Sequence, residues 1–301
     1  MPRLLFALGC ALVACREAPP PREFEGGTAF GYLRTQLEFG PRIPGRPGHA
    51  RMAAWLDSLL RRRADTVIVQ SWSHVTTAGD TLELRNFVAR FNPAAPARIL
   101  YLAHWDTRPR SDGPNSKNPK APVPGANDGA SGVAVLLGVA DALKRSPPAV
   151  GVDLLFVDGE DYGDFNKQPK DVLIGSRYFT AHRPPGPAPR FAVLFDLVGD
   201  RDLQFYQEGN SLTGAPDVVA QVWSTARALG YQRYFRSDSA GRHTLVDDHV
   251  ELQKAGIKAI DLVDFDYPYW HTPEDTIDKV SAASLQVVGD VALALVRRQR
   301  P

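Results

Sequence analysis

The sequence predicts a three-layer α/β fold in which a central mixed, mostly parallel sheet is covered by helices on both faces. Short continuous apolar runs at residues 99–103 and 152–157 are typical of strands that are buried on both sides. Longer helical segments, such as residues 131–143, lie between such runs. Because strands and helices alternate along the chain, most strands are expected to run parallel and to be joined by helices.

The individual elements follow from apolar runs and from the breaks between them. Helices are predicted over residues 29–37, 49–63, 131–143, 217–229 and 282–297. Strands are predicted over residues 66–70, 84–91, 99–103, 152–157, 191–195 and 259–263. A Gly- and Pro-rich break at 40–45 separates the first two helices. Residues 108–124, rich in Pro, Ser, Asn and Lys, are predicted to form a surface loop near the mouth of a site.

Length and composition are those of an ordinary globular protein. The chain has 301 residues, of which 44% are hydrophobic and 23% charged, so one large α/β domain over residues 27–301 is expected. The formal net charge of +1 leaves no basic surface for nucleic acid or for a membrane. We therefore expect no nucleic-acid partner. The composition does not indicate an oligomeric state.

The N-terminal segment predicts export. A basic start at residues 1–3 precedes an apolar stretch at 4–14 that is too short to span a bilayer comfortably, as in a signal peptide. The sequence Leu12-Val13-Ala14-Cys15 resembles the lipobox of bacterial lipoproteins, in which the cysteine carries the lipid. Residues 1–14 are thus predicted to be removed, with Cys15 lipidated and 15–26 as a Pro-rich tether. The predicted location is periplasmic or outer-membrane, with a lipid anchor as the only membrane contact; simple cleavage and secretion is the alternative.

Both cysteines, Cys10 and Cys15, lie in this N-terminal segment. A folded domain that begins near residue 27 therefore has no disulfide, no thiolate metal ligand and no cysteine nucleophile. Any metal site in it must use imidazole and carboxylate ligands.

Six such side chains come where an apolar run ends or a tight turn begins. They are His104, Asp128, Glu160, Asp161, Asp196 and His271. In an open α/β sheet, ligands bind at the carboxyl ends of the strands, so these residues are expected to converge. Their carboxylates would repel each other unless a cation neutralised them. The sequence therefore predicts a metalloenzyme.

The donor set fits zinc best, with cobalt or manganese as alternatives and calcium disfavoured. We predict Asp128, Asp161 and His271 as the ligands, because three protein ligands leave a coordination position open for catalysis. Glu160 would then be free to handle protons, although a Glu-Asp pair can also be a solvated acidic turn. His104 is interpreted either as a further metal ligand or as a hydrogen-bonded cleft histidine.

Other aromatic and imidazole side chains are less informative. Trp270 precedes His271 and could form a flat apolar wall for a small substrate group, or pack in the core with neighbouring tyrosines. Four histidines in polar or Pro-rich stretches are predicted to lie at the surface: His49, His74, His182 and His243. His249 is predicted to support the site rather than to bind metal.

Eight short motifs, in chain order, resemble the zinc exopeptidase family that contains bacterial aminopeptidases and glutaminyl cyclases. They are Phe39-Gly40-Pro41-Arg42, Ala103-His104-Trp105-Asp106-Thr107-Arg108, Gly125-Ala126-Asn127-Asp128-Gly129-Ala130-Ser131-Gly132, Asp158-Gly159-Glu160-Asp161-Tyr162-Gly163, Gly175-Ser176-Arg177-Tyr178, Phe195-Asp196-Leu197-Val198-Gly199, Asp247-Asp248-His249 and Trp270-His271-Thr272. The resemblance implies the three-layer zinc-exopeptidase-like fold.

The resemblance also implies two forms of the site. In the aminopeptidases two metal ions would be present, with Asp128 bridging, His104 and Asp196 completing one site, Asp161 and His271 the other, and Glu160 activating a metal-bound water. In the cyclases a single zinc would be held by Asp128, Asp161 and His271.

Two residues favour the cyclase. The position of Asp247 is typically serine in the aminopeptidases and aspartate in the cyclases, and a tryptophan directly before the last metal histidine resembles the cyclases. Two features depart from the pattern: animal cyclases carry glutamate where this chain has Asp161, and the aromatics around Phe165 match weakly.

The function implied is that of a glutaminyl-peptide cyclotransferase, an acyltransferase that converts N-terminal glutamine of peptides or proteins to pyroglutamate with release of ammonia. One zinc ion would polarise the amide carbonyl, and Glu160 would transfer protons. Asp196 and Asp247 would share a proton and bind the leaving amide, and Trp270 would pack against the substrate side chain. The alternative is a zinc-dependent aminopeptidase with two ions.

Overall fold

A six-stranded mixed sheet forms the centre of the structure, a computed structural model that describes residues 23–301. Its strands are β1 (Thr66–Val75), β2 (Thr81–Phe91), β3 (Arg98–His104), β4 (Gly151–Val157), β5 (Ala192–Asp196) and β6 (Ala259–Val263). They lie in the order β1-β2-β4-β3-β5-β6. Strand β2 pairs antiparallel with β1 on one side and with β4 on the other. The remaining pairs, β4 with β3, β3 with β5 and β5 with β6, are parallel.

Helices cover both faces of this sheet. They are α1 (Gly26–Glu38), α2 (Pro47–Arg61), α3 (Ala130–Arg145), α4 (Ile174–Ala181), α5 (Gly209–Gly214), α6 (Pro216–Ala228), α7 (Asp248–Lys254) and α8 (Ala282–Arg298). Helices α1, α3 and α8 pack together on one face, and α4 and α7 on the other. The predicted three-layer α/β fold with a mixed, mostly parallel sheet is thus confirmed.

Strand β3 shows why the sequences of the central strands are continuous apolar runs. Tyr101 and Ala103 belong to the larger core beneath α3 and α8, whereas Leu100 and Leu102 belong to the smaller core beneath α4 and α7. All seven residues of the strand are buried. Because both faces exclude water, each position gains from an apolar side chain.

The antiparallel edge is longer than the sequence predicts. Strand β1 continues to Val75 and β2 begins at Thr81, so that the two form a long hairpin closed by a turn in which Gly79 has a φ of +92°. In this extension exposed residues alternate with partly buried residues in β1 and with the buried Leu82 in β2. Because only one face of this hairpin extension is covered, polar residues interrupt the apolar run before the strand ends. The sequence pattern therefore predicts strands that are too short.

Three helices were not predicted. Helices α4, α5 and α7 have 8, 6 and 7 residues, too few for a clear helical period. Helix α7 matters for the site because Asp247 caps its N-terminus by accepting the backbone N–H of Asp248.

Two local predictions need correction. His49 is buried rather than exposed: Nε2 lies 2.8 Å from Asp158 Oδ1, and the ring stacks on Trp105. The segment 108–124 has no helix or strand, as expected, but it is only partly a surface loop. Arg108 and Val123 are buried, and the Val123 backbone N–H donates to the Arg108 carbonyl at 3.2 Å, so the two ends of the loop meet.

The predicted signal peptide (1–14), Cys15 and residues 15–22 of the predicted tether lie outside the described residues. Helix α1 begins at Gly26, where the tether was predicted to end. Within residues 23–301 no helix has the length and hydropathy needed to cross a membrane.

Candidate metal centre

A cavity of about 570 Å³ opens at the carboxyl ends of the parallel strands. Most of the predicted site residues line it: Asp128, Glu160, Asp161, Asp196, Asp247, Trp270 and His271. His104 ends β3, and Asp196 ends β5. The turn after β4 carries Glu160, and the loop after β6 carries His271. The crossover connections therefore bring residues from across the chain to one edge of the sheet, as the sequence predicts.

Asp128, Asp161 and His271 form a buried group whose candidate ligand atoms all lie within 4.8 Å of one another. His271 Nε2 lies 3.3 Å from Asp161 Oδ1 and 3.5 Å from Asp128 Oδ2. Ligands bonded to zinc at ~2.0–2.2 Å in a tetrahedron are separated by ~3.3–3.6 Å. Asp161 Oδ2 is buried without a hydrogen-bond partner among the described residues. The 3.5 Å between His271 Nε2 and Asp128 Oδ2, the donor types, and the buried Oδ2 of Asp161 without a partner all fit a zinc ion.

His104, Asp128 and Asp196 form a second group of the same kind. His104 Nε2 lies 3.1 Å from Asp128 Oδ1 and 3.2 Å from Asp196 Oδ1. Asp128 thus faces His271 with one oxygen and His104 with the other. This arrangement is compatible with one ion, where His104 hydrogen-bonds both carboxylates, and with two ions bridged by Asp128.

Two further carboxylates hold the backbone around these groups. Asp106 accepts the backbone N–H groups of Glu160 and Asp161 at 3.1 and 3.2 Å. Asp275 accepts those of Asn127 and Asp128 at 2.9 and 3.2 Å. Because each bond is made to the main chain, the side chains of the predicted ligands remain available for a cation.

The electrostatics reflect a concentration of negative charge. Burial, followed by the charge of Asp161, raises the pKa of Asp128. The same two causes raise the pKa of Glu160 well above its usual value. Burial opposes ionisation of Asp161 as well, but His271 and Arg108 lower its pKa to about 2. A divalent cation would relieve this mutual repulsion.

Asp247, which also lines the cavity, has the same electrostatic character. Burial, followed by the charge of Asp196, raises its pKa well above the usual range. Asp247 belongs to neither metal-ligand group within the described residues. It is therefore a buried carboxyl that faces the cavity and is available for substrate.

Trp270 forms part of the cavity wall. Its ring stacks on His271, with centroids 3.8 Å apart, and meets Phe265 edge-on at 4.9 Å. Tyr267 and Tyr269 contact each other, and Trp270 also packs against the small apolar cluster that contains Tyr267. The indole is only partly buried, so one part of it packs against the protein while another faces the cavity.

Sequence reasoning missed Arg108, Asp112 and Asp275 as parts of the site. Arg108 and Asp112 line the cavity, and Asp275 lies behind Asp128. Arg108 and Asp112 are four residues apart in the loop after His104, and this short spacing was the available signal. His249, in contrast, is buried beside Glu208, 3.2 Å away, and lies outside both ligand groups.

Residues 86–296 match the model of peptidase family M28. The chain belongs to this family. Members of peptidase family M28 depend on zinc, which agrees with the two groups of candidate ligands.

Solved structures of similar proteins include both kinds of enzyme. The glutaminyl cyclase of Bacteroides thetaiotaomicron, solved with N-acetylhistamine, is 33% identical with a TM-score of 0.88 over 93% of this chain and 99% of that one. A leucine aminopeptidase precursor from the same species is 34% identical, with the same TM-score and coverage. The fold and the family are shared, but overall similarity does not separate the two reactions.

A curated relative is also an aminopeptidase. Aminopeptidase YwaD of Bacillus subtilis is 29% identical over 212 residues, which cover 67% of this chain. The match spans only 41% of that protein's length. Only individual residues of the cavity can therefore distinguish the two reactions.

Proposed function

We propose that the protein is a zinc-dependent glutaminyl-peptide cyclotransferase with residues 27–301 as its catalytic domain. The observation that carries this proposal is Asp247, a buried carboxyl that lines the cavity but belongs to neither ligand group. An aminopeptidase needs no further acid at this position, where its relatives typically have serine. A cyclase must bind a side-chain amide, and a carboxyl group at this position can do so.

Asp128, Asp161 and His271 are the proposed zinc ligands, supported by their separations and burial. When bound, the ion would supply Lewis-acid polarisation of the glutamine side-chain carbonyl. Trp270 would pack against the methylene groups of the glutamine, since its ring forms a wall of the cavity beside His271. The side chain would thus be held in a single conformer close to the α-amine.

Glu160 is the proposed proton carrier. The α-amine nitrogen attacks the side-chain carbonyl carbon, and the bond from this carbon to the amide nitrogen breaks. Glu160 accepts the proton that the amine loses and donates it to the departing nitrogen, which leaves as ammonia. A buried carboxyl that lines the cavity suits both steps, since burial raises the pKa of Glu160 above its usual value.

Asp196 and Asp247 are proposed to share a proton and to bind the leaving amide group. Asp196 is the largest charged contributor to the raised pKa of Asp247, which supports a shared proton between them. A carboxylate accepts hydrogen bonds from an amide NH₂, whereas a protonated carboxyl can donate one.

The test is a product analysis with a glutaminyl dipeptide. Pyroglutamyl product with one ammonia per turnover, and one zinc per chain, is the expected result. Release of free glutamine from the dipeptide, with two zinc ions per chain, would reject the proposal.

The second candidate is an aminopeptidase, and one observation favours it. His104, Asp128 and Asp196 offer a complete second ligand group, with all candidate atoms within 4.8 Å. Leucine p-nitroanilide, assayed with added Zn²⁺, is the matched probe because it contains no glutamine side chain. Turnover of this compound that exceeds turnover of the glutaminyl dipeptide would establish the second candidate.

We also propose that the protein is exported and lipidated at Cys15, with peptide or protein N-termini as its substrates. The support is the basic and apolar N-terminus followed by Leu12-Val13-Ala14-Cys15. Radiolabelled palmitate should enter the wild-type protein but not a Cys15→Ala variant. Export without label in the wild type would indicate ordinary secretion.

A further inference from the structure

Arg108 joins one predicted zinc ligand to an acid on the loop at the cavity rim. Its Nη1 donates to Asp161 Oδ1 at 2.6 Å, and its Nε and Nη2 donate to Asp112 Oδ1 and Oδ2 at 2.6 and 2.9 Å. The Arg108 side chain is 5% exposed and that of Asp161 is 2% exposed, so solvent screens this contact little.

Asp112 in turn reaches the second predicted ligand. Its Oδ1 lies 3.5 Å from His271 Nδ1, the ring nitrogen opposite the one that faces Asp128 and Asp161. The next residue holds the loop against the same segment, because the Gly113 backbone N–H donates to the His271 carbonyl at 3.0 Å. A Cβ on Gly113 would lie 2.2 Å from the Trp270 carbonyl oxygen, so only glycine permits this approach.

We propose that Arg108 and Asp112 are positioning residues for zinc, which orient Asp161 and His271 through one continuous chain of contacts. The chain runs from Asp161 through Arg108 and Asp112 to His271 and so joins two of the three predicted ligands. This inference rests on the zinc-binding part of the proposed function and not on the reaction catalysed.

The chemistry of each contact supports this role. A histidine that binds metal through one ring nitrogen donates the proton of the other to a carboxylate or carbonyl, which fixes its tautomer and its orientation. Asp112 is placed to accept that proton from His271. Arg108 occupies one oxygen of Asp161, which leaves Oδ2, the atom without a hydrogen-bond partner in the described chain, to face an ion.

The contacts that Arg108 makes with Asp112 and Asp161 depend on the planar shape of its guanidinium group. Arg108 uses three nitrogens at once, two for Asp112 and one for Asp161. A lysine has a single ammonium nitrogen without this planar fork, so it cannot bind both oxygens of Asp112 side by side and Asp161 at the same time. Charge alone at position 108 is therefore not expected to preserve the arrangement.

The experiment measures Zn²⁺ affinity of the purified apoprotein by competition with a chromophoric chelator. Asp112→Ala and Arg108→Lys should each weaken binding by about 10- to 100-fold, as for other groups that orient metal ligands. The double variant should lose little more than either single variant, because both changes interrupt the same chain of contacts. Asp112→Asn, which keeps an oxygen near His271 Nδ1, should lose less than Asp112→Ala.

Asp57→Ala is the matched control. Asp57 also pairs with an arginine four residues away, Arg61, and its side chain is 33% exposed compared with 31% for Asp112. This variant should bind Zn²⁺ like the wild type. The melting temperature of each apoprotein is measured alongside, because a purely structural role would lower stability without changing affinity.

The possible results of this experiment separate the inference from the proposed function. Wild-type affinity in both Asp112→Ala and Arg108→Lys overturns the inference, as does a loss of apoprotein stability with unchanged affinity. If the wild type binds no zinc, both the inference and the proposed function fail. If the wild type binds zinc and the variants lose it, but no pyroglutamate forms, the positioning role stands and only the proposed reaction fails.

Discussion

Asp106 Oδ1 accepts the backbone N–H of Glu160 at 3.1 Å, which joins the ends of the neighbouring strands β3 and β4. The other oxygen of Asp106 accepts from Asp161 at 3.2 Å. The turn that carries the proposed base and a proposed ligand is therefore held by a buried carboxylate, independently of the side chains that would do the chemistry. Substitutions of these side chains can thus be expected to change function without disrupting the turn.

Glu160→Gln tests the proposed base. Glutamine has nearly the same shape and keeps the backbone contact to Asp106, but it cannot accept a proton. We expect zinc content to be unchanged and turnover of a glutaminyl dipeptide to fall at least about a hundredfold. Near-normal turnover in this variant would remove Glu160 from the mechanism.

Asp247→Ser tests the residue that separates the two candidate reactions. Serine can still cap α7, so the helix should form while the buried carboxyl is lost. We expect the melting temperature to remain close to that of the wild type and cyclisation to be largely abolished. An unaltered rate of cyclisation would show that Asp247 does not bind the leaving amide.

His104→Asn tests the number of metal ions. If His104 only hydrogen-bonds Asp128 and Asp196, one zinc per chain should remain after the substitution. If His104 is a ligand, zinc content should fall from two to one. Metal analysis of both proteins after dialysis against the same buffer measures the difference, and the second result would favour the aminopeptidase.

Asp264→Asn tests a pH effect away from the metal. Asp264 is 2% exposed, and burial raises its pKa to about 7 from an ordinary 3.8, despite the hydrogen bond that its carboxylate accepts from Gln204. The folded state therefore binds a proton that the unfolded state loses near pH 4, and stability should fall as pH rises from about 4 to 7. Above pH 7 the Asp264 carboxylate is charged while buried, and this desolvation lowers the free energy of unfolding.

An asparagine at this position stays neutral, so the variant should be more stable than the wild type at pH 8 by about 1–3 kcal/mol. Urea unfolding at pH 5 and pH 8 measures this difference. Asp217→Asn, at a largely exposed ion pair with Lys258, should show no comparable gain. Equal stability of Asp264→Asn and wild type at pH 8 would contradict the prediction.

The sequence predicts the parts of this molecule that depend on nearby residues. Strand β3 is buried on both faces, so its residues 99–103 form a continuous apolar run that the sequence shows directly. Polar residues such as His104 and Asp196 mark where such strands end, which is enough to predict that they converge. The long β1–β2 hairpin was only partly predicted, because its outer half is covered on one face.

Contacts between distant residues could not be predicted in this way. Asp275 accepts hydrogen bonds from the backbone N–H groups of Asn127 and Asp128, which lie 148 and 147 positions earlier in the chain. His49 is buried because it contacts Asp158, 109 positions along the chain, and stacks on Trp105. Neither pairing leaves a local pattern in the sequence.

The loop between Arg108 and Val123 has a practical consequence for engineering. Its ends are joined by a backbone hydrogen bond, whereas Lys117 to Lys120 at its tip are exposed. Lengthening the tip adds little closure entropy and leaves the joined ends in place. A peptide tag inserted there, or a fluorophore attached there, would be carried by the same loop as Asp112, which lines the cavity, without replacing any residue of the cavity wall.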